Sequence, residues 1–118
     1  MKFLILLHAT ADAWPENEHR QAIEESVQLC HQLQAEGKYL GASPLEPGSD
    51  SILVRVRDGA AQVTDGPFAE TKEVLGGYFL IQASNMQEAI EVAKRIPGIR
   101  RGVAEIRQIM EIQGLPND

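Results

Sequence analysis

Charged side chains able to move protons or grip a small anion gather in one short stretch, at Asp65, Glu70, Lys72 and Glu73, around the turn Asp65-Gly66-Pro67-Phe68. Pro67 fixes its own φ and restricts Gly66, while Gly66 is free to take the positive φ of a tight turn. An aspartate before such a turn either accepts backbone N–H groups or presents a rigid carboxylate that could act as a general base. Glu70 and Lys72 could flank a pocket, with Lys72 holding an anionic group. Exposed ion pairs contribute only about 0–1 kcal/mol, so stability alone gives little reason for the cluster. His8 ends the first apolar run, and imidazole is the side chain best suited to proton exchange near neutral pH. It is either a proton carrier or a partly buried ring satisfied by a loop carbonyl. Asp12 and Trp14 follow in the next loop and could close over the same mouth. Phe68, like Tyr78 and Phe79, is either a core or turn anchor or the wall of a site for an aromatic ligand.

Other chemistries find less support. At about 3.6 residues per turn, the interval from His19 to His31 exceeds three turns of helix, so the two cannot share one metal. His8, Asp12 and Asp65 would make a metal site only if the fold brought them together; neither a metal nor a cofactor is expected. Cys30 is the only cysteine. With no cationic neighbour to depress its pKa, it reads as a small buried group rather than a nucleophile. Its isolation excludes an intrachain disulfide and fits a reducing cytoplasm. There is no Ser-His-Asp order, P-loop, zinc spacing or dinucleotide fingerprint.

The net charge of -6, with no basic run longer than Arg100-Arg101, argues against direct contact with a nucleic-acid backbone. Nothing approaches the length of a membrane span. The apolar run Phe3–Leu7 is too short for a signal peptide and reads as a buried strand.

The elements that must position these residues follow from spacing. "KFLILLH" is a strand. From about Asn17 to Glu36, Ile23, Val27, Cys30 and Leu33 recur at helical intervals, and Gly37 supplies the stop. "KYLGAS" is a second strand. "SILVRVR" and "AAQVT" flank Asp58-Gly59, a hairpin signal that turns on positive φ. "GGYFLIQA" is a further strand. Asn85 with Glu88 opens a second helix as a capping box, ended by Pro97-Gly98. "VAEIRQIMEI" closes the fold as a strand. Residues 1–112 therefore read as one domain and 113–118 as a C-terminal tail. The order implies an α+β, ferredoxin-like β-α-β-β-α-β sandwich with an inserted hairpin. Two helices cover one face of a sheet, yet "FLILL" and "YFLI" are apolar on both. A second copy packed sheet against sheet would cover the other, so a homodimer is expected.

The stretch "VTDGPFAETKEVLGGYFLI", with "MKFLILLH", "LQAEGKYLGASPLEP" and "VRVRDG", resembles the DGPF branch of the YCII-related family across almost the whole chain. The resemblance implies a ferredoxin-like subunit that pairs into a dimeric α-β barrel. It also implies an association with extracytoplasmic-function sigma factors, and hence a regulatory or partner role as an alternative to small-molecule chemistry of the proton-transfer or isomerase type. The better-studied branch uses a His-Asp pair. Here Ser26 stands at the His position, and Ile96 precedes Pro97 where the Asp would be, so neither member of the pair carries over. The expected site is instead a cleft walled by the Asp65 loop, His8 and the sheet, for an unknown small ligand.

Overall fold

The computed structural model describes residues 1–68 and 73–116. Strand β1 (Lys2–Thr10) leads into helix α1 (Glu16–Ala35) and strand β2 (Tyr39–Pro44). The hairpin β3 (Ile52–Arg57) and β4 (Ala60–Asp65) follows, then β5 (Glu73–Gln82), helix α2 (Met86–Lys94), a 3-10 turn at Pro97–Arg101, and β6 (Val103–Gln108). The main sheet is antiparallel in the order β2-β5-β1-β6. This is the ferredoxin-like sandwich expected, with the hairpin inserted before its third strand.

Local chemistry explains the ends of the elements. Helix α1 stops in a Schellman arrangement: Gly37 takes φ +75°, its N–H donates to Gln34 O at 3.0 Å, and the Lys38 N–H donates to Leu33 O at 2.8 Å. Asn85 caps α2 by accepting the Glu88 N–H at 2.8 Å. Asp58 and Gly59 both have positive φ, 53° and 76°, the pair of conformations a two-residue type I′ hairpin requires. Several boundaries differ from expectation. Strand β1 runs past His8 to Thr10, β5 begins at Glu73 rather than Gly76, and β6 ends at Gln108 rather than running on to Ile112, with the Ile109 N–H still donating to Lys2 O at 2.9 Å.

The core lies between the helices and one face of the central strands. Phe3 pairs with Ile81 and Ile5 with Phe79, and all four are buried beneath Leu29 and Leu33 of α1 and Ala89 and Val92 of α2. Each such side chain is worth about 1.5–3 kcal/mol of burial. The opposite face, with Leu4, Leu6, Tyr78 and Leu80, is only half buried. Among the described residues nothing forms a layer over the hairpin: every residue of β4 is exposed, and Val54 is 70% exposed. Its projection accounts for a radius of gyration of 16.1 Å, against about 13.5 Å for a compact chain of this length.

Candidate functional site

Two hollows lie on opposite sides of the main sheet. The first is a cavity of about 200 Å³ between α1 and the sheet. On α1, His19, Ala22, Ile23, Ser26, Val27 and Cys30 recur at helical spacing and line one wall. Leu7, Ala42 and Phe79 form the sheet wall, Gly98 closes one end, and Trp14 of the β1–α1 loop bounds another. Gly77 keeps β2 against this wall: a Cβ there would lie 3.0 Å from Ser43 O and 3.3 Å from Pro44 Cα. The lining is largely apolar. The Ser26 hydroxyl donates to Ala22 O at 2.8 Å, which leaves its oxygen lone pairs to accept. Burial pushes the Cys30 thiol pKa up, so the sulfur is held as thiol rather than thiolate.

The second hollow is a wider cleft of about 870 Å³ beside the stem of the hairpin, lined by His8, Leu45, Ser51, Phe68, Glu73 and Leu75 among others. His8 borders both spaces. Its register beside Leu6, which pairs with Glu105, turns the ring to the face without helices. There His8 Nε2 lies 3.2 Å from Glu105 Oε1. Antiparallel pairing of β1 and β6 makes the contact, which joins residues 97 apart in sequence. Glu105 was missed by reading motifs; the alternation of Val103, Glu105 and Arg107 was the available signal, once β6 is set beside β1.

The Asp65 turn is built differently from expectation. Gly66 does not adopt positive φ. Glycine is required instead by contact: a Cβ at Gly66 would overlap the Ser51 hydroxyl, which donates to Gly48 O at 2.6 Å, while the Gly66 N–H donates to Ser51 O at 2.8 Å. Asp65 is exposed, lines neither hollow, and among the described residues its carboxylate has no hydrogen-bond partner. Phe68 is 80% exposed, so it anchors no core; it borders the cleft. Asp12 is exposed and lines neither hollow, whereas Trp14 reaches the cavity. Glu70 and Lys72 lie outside the described residues. Among the described residues, no three His, Cys, Asp or Glu side chains are grouped to hold a metal, and no helix is long and apolar enough to cross a membrane.

The model of the YCII-related domain matches residues 1–113. The chain belongs to the YCII-related family. An uncharacterised protein of Rhizobium meliloti (strain 1021), R00369, is 30% identical over 86 residues, covering 73% of this chain and 69% of that protein. Among solved structures, 5-chloro-2-hydroxyhydroquinone dehydrochlorinase (TftG) from Burkholderia phenoliruptrix AC1100, in complex with 2,5-dihydroxybenzoquinone, superposes with a TM-score of 0.58. It is 12% identical, over 96% of this chain and 97% of that one. The likeness establishes a shared α+β fold. Of the two positions that depart from the expected His-Asp pair, Ser26 lines the cavity and Ile96 is buried in the core at 1% exposure.

Proposed function

We propose that this YCII-related protein binds a small, flat, largely apolar organic molecule between α1 and the sheet. The cavity beneath Trp14 carries the reading. An apolar cavity of about 150 Å³ accepts benzene, so about 200 Å³ is on the scale of one ring with few substituents. The ring compound bound by the structural relative TftG is of that size. Ser26 Oγ is placed to accept a hydrogen bond from a ligand hydroxyl, and His19, on the same face of α1, is the imidazole that can exchange a proton at this wall.

A second reading places proton transfer or isomerisation in the open cleft. It is favoured by the His8–Glu105 contact, in which the carboxylate engages Nε2 and leaves the other ring nitrogen for a substrate. In either reading a second copy covers the face bearing Leu4, Leu6, Tyr78 and Leu80, making a homodimer. A single cysteine, with no partner for an intrachain disulfide, suits the cytoplasm.

A thermal-shift screen of hydroxylated ring compounds separates the readings when run on wild type, Ser26→Leu, His8→Ala and Phe68→Ala. A compound that stabilises wild type and His8→Ala, and loses its effect in Ser26→Leu, supports the cavity. Because His8 borders both hollows, loss in His8→Ala moves the site to the cleft when Phe68→Ala, at a residue that borders the cleft and not the cavity, loses the effect too. If no ring compound shifts wild type, small-molecule binding falls in favour of a regulatory protein partner, of which a sigma factor is the first to test.

A further inference from the structure

Trp14 borders two spaces. Its inner side lines the cavity between α1 and the sheet; its outer side lines a shallow surface groove with Glu18, Glu25, Arg100 and Arg101. Trp14 therefore stands between the two spaces. A side chain on the 3-10 turn is seated against it. Arg101 Cζ stands 5.4 Å from the centroid of the indole, within cation–π range. The same guanidinium donates from Nη1 to Ala13 O at 3.1 Å and from Nη2 to Glu18 Oε2 at 2.7 Å. One planar group thus grips the loop backbone before Trp14, the ring itself and the first turn of α1. Its neighbour Arg100 pairs with Glu25, two turns further along α1, and donates from Nε to Pro97 O at 3.1 Å. The turn is in this way tied to the helix at two points, and among the described residues the guanidinium set over the indole is that of Arg101.

We propose that Arg101, which does not line the cavity, is the positioning residue for Trp14, and that it sets the indole as the stacking wall against which a planar ligand ring lies. The inference rests on the cavity reading above for its ligand, but not for its first half, which concerns the free protein. A cation seated on the outer face occupies that face and leaves the inner one for a ring. The three contacts demand a fork of donors in one plane. Lysine offers a point charge and cannot reproduce the fork, so Arg101→Lys is expected to keep part of the effect. Entry of a ligand from this end requires Trp14 to swing out, which breaks the cation–π contact.

Trp14 is the only tryptophan, so its emission reports on this wall alone. The experiment compares wild type, Arg101→Gln, Arg101→Lys, Glu18→Gln and Arg100→Gln, each confirmed folded by circular dichroism. In the free proteins, acrylamide quenching should rise and emission shift to the red in Arg101→Gln, less so in Arg101→Lys and Glu18→Gln, and not in Arg100→Gln. Titration with 2,5-dihydroxybenzoquinone, an electron-accepting ring that quenches indole, should then show about three- to tenfold weaker binding in Arg101→Gln, the change expected for a lost contact of cation–π strength. If Arg101→Gln leaves quenching and emission as in wild type, or if Arg100→Gln changes them equally, Arg101 does not position Trp14. Should Arg101→Gln fail to fold, Glu18→Gln decides the same question. A latch confirmed by quenching in the free protein, with no binding of the quinone to wild type, would leave Arg101 as the residue that sets the indole. It would overturn the stacking wall for this ring, while the ring-binding cavity itself falls only if the wider screen of ring compounds also finds no binder.

Discussion

The two faces of the main sheet are made from the same strands and finished in opposite ways. On the helix side, Phe3, Ile5, Phe79 and Ile81 disappear under α1 and α2. On the other side, Leu4, Leu6, Tyr78 and Leu80 keep part of their surface, and the hairpin that rises beyond them is bare, with Ile52, Val54, Val56 and Val63 each more than half exposed. The difference shows where each part of the stability comes from. The helix face is held by burial within one chain, whereas a two-stranded hairpin with one exposed apolar face is marginal by itself and depends on a surface brought to it.

Paired truncations break this comparison most sharply. Phe79→Ala should destabilise the monomer fold by about 3–5 kcal/mol, read by urea unfolding, because it empties a packed site. Val54→Ser should leave that fold within about 0.5 kcal/mol of wild type, as exposed positions do. In the proposed homodimer the same substitution should lower the dimer fraction seen by light scattering. A mass that stays monomeric in wild type at high concentration would mean that the open face is not covered by a second copy.

That contrast was largely legible in the sequence. Period-two and period-3.6 patterns, the Asp58-Gly59 turn, Gly37 and the Asn85 cap are local signals, and each resolves into the element it implied. The inference that two helices leave one face uncovered also needed only the element order. The site was less legible because its causes are not local. Gly66 invites a reading in terms of φ, yet what demands glycine is the hydroxyl of Ser51, across the hairpin stem. His8 was visible as a proton carrier, but its partner Glu105 is supplied by strand pairing. Arg101, in the last turn before β6, carries no motif and matters only because that turn packs against the loop holding Trp14.

A medium effect is expected where the two faces meet at the end of β1. Gly102 lets the chain leave the 3-10 turn close against β1: a Cβ there would overlap His8 O and lie 3.2 Å from both Ala9 Cβ and Gly98 O. Its φ of -155° is ordinary extended backbone, so the demand is for space alone. Gly102→Ala should cost about 1–3 kcal/mol, as other overpacked sites do. Because the shift must be taken up between His8 and Arg101, it should also move the amide resonances of both the helix-side loop and the open-face strand. A variant as stable as wild type, with resonances unmoved, would show that the close approach constrains neither face.

The smallest effect sharpens the helix side. There the ends of α1 and α2 are clipped together: Glu36, at the C-cap of α1, receives two hydrogen bonds from Arg95, at the C-cap of α2, at 2.9 and 2.8 Å. The Arg95 hydrogen bonds, with a lesser contribution from Lys38, hold the Glu36 carboxyl at a pKa of about 2, well below its usual 4.5. A carboxyl whose pKa is depressed on folding stabilises the fold fully above its unfolded value, and loses that contribution as pH falls through the folded one. The clip should therefore be intact above about pH 4.5 and released progressively toward pH 2. Carboxyl carbon resonances followed by NMR should place the Glu36 midpoint near the bottom of that window in wild type and return it toward the ordinary range in Arg95→Gln. A wild-type midpoint already at the ordinary value would show that solvent screens the pair, leaving the helix face held by apolar burial alone.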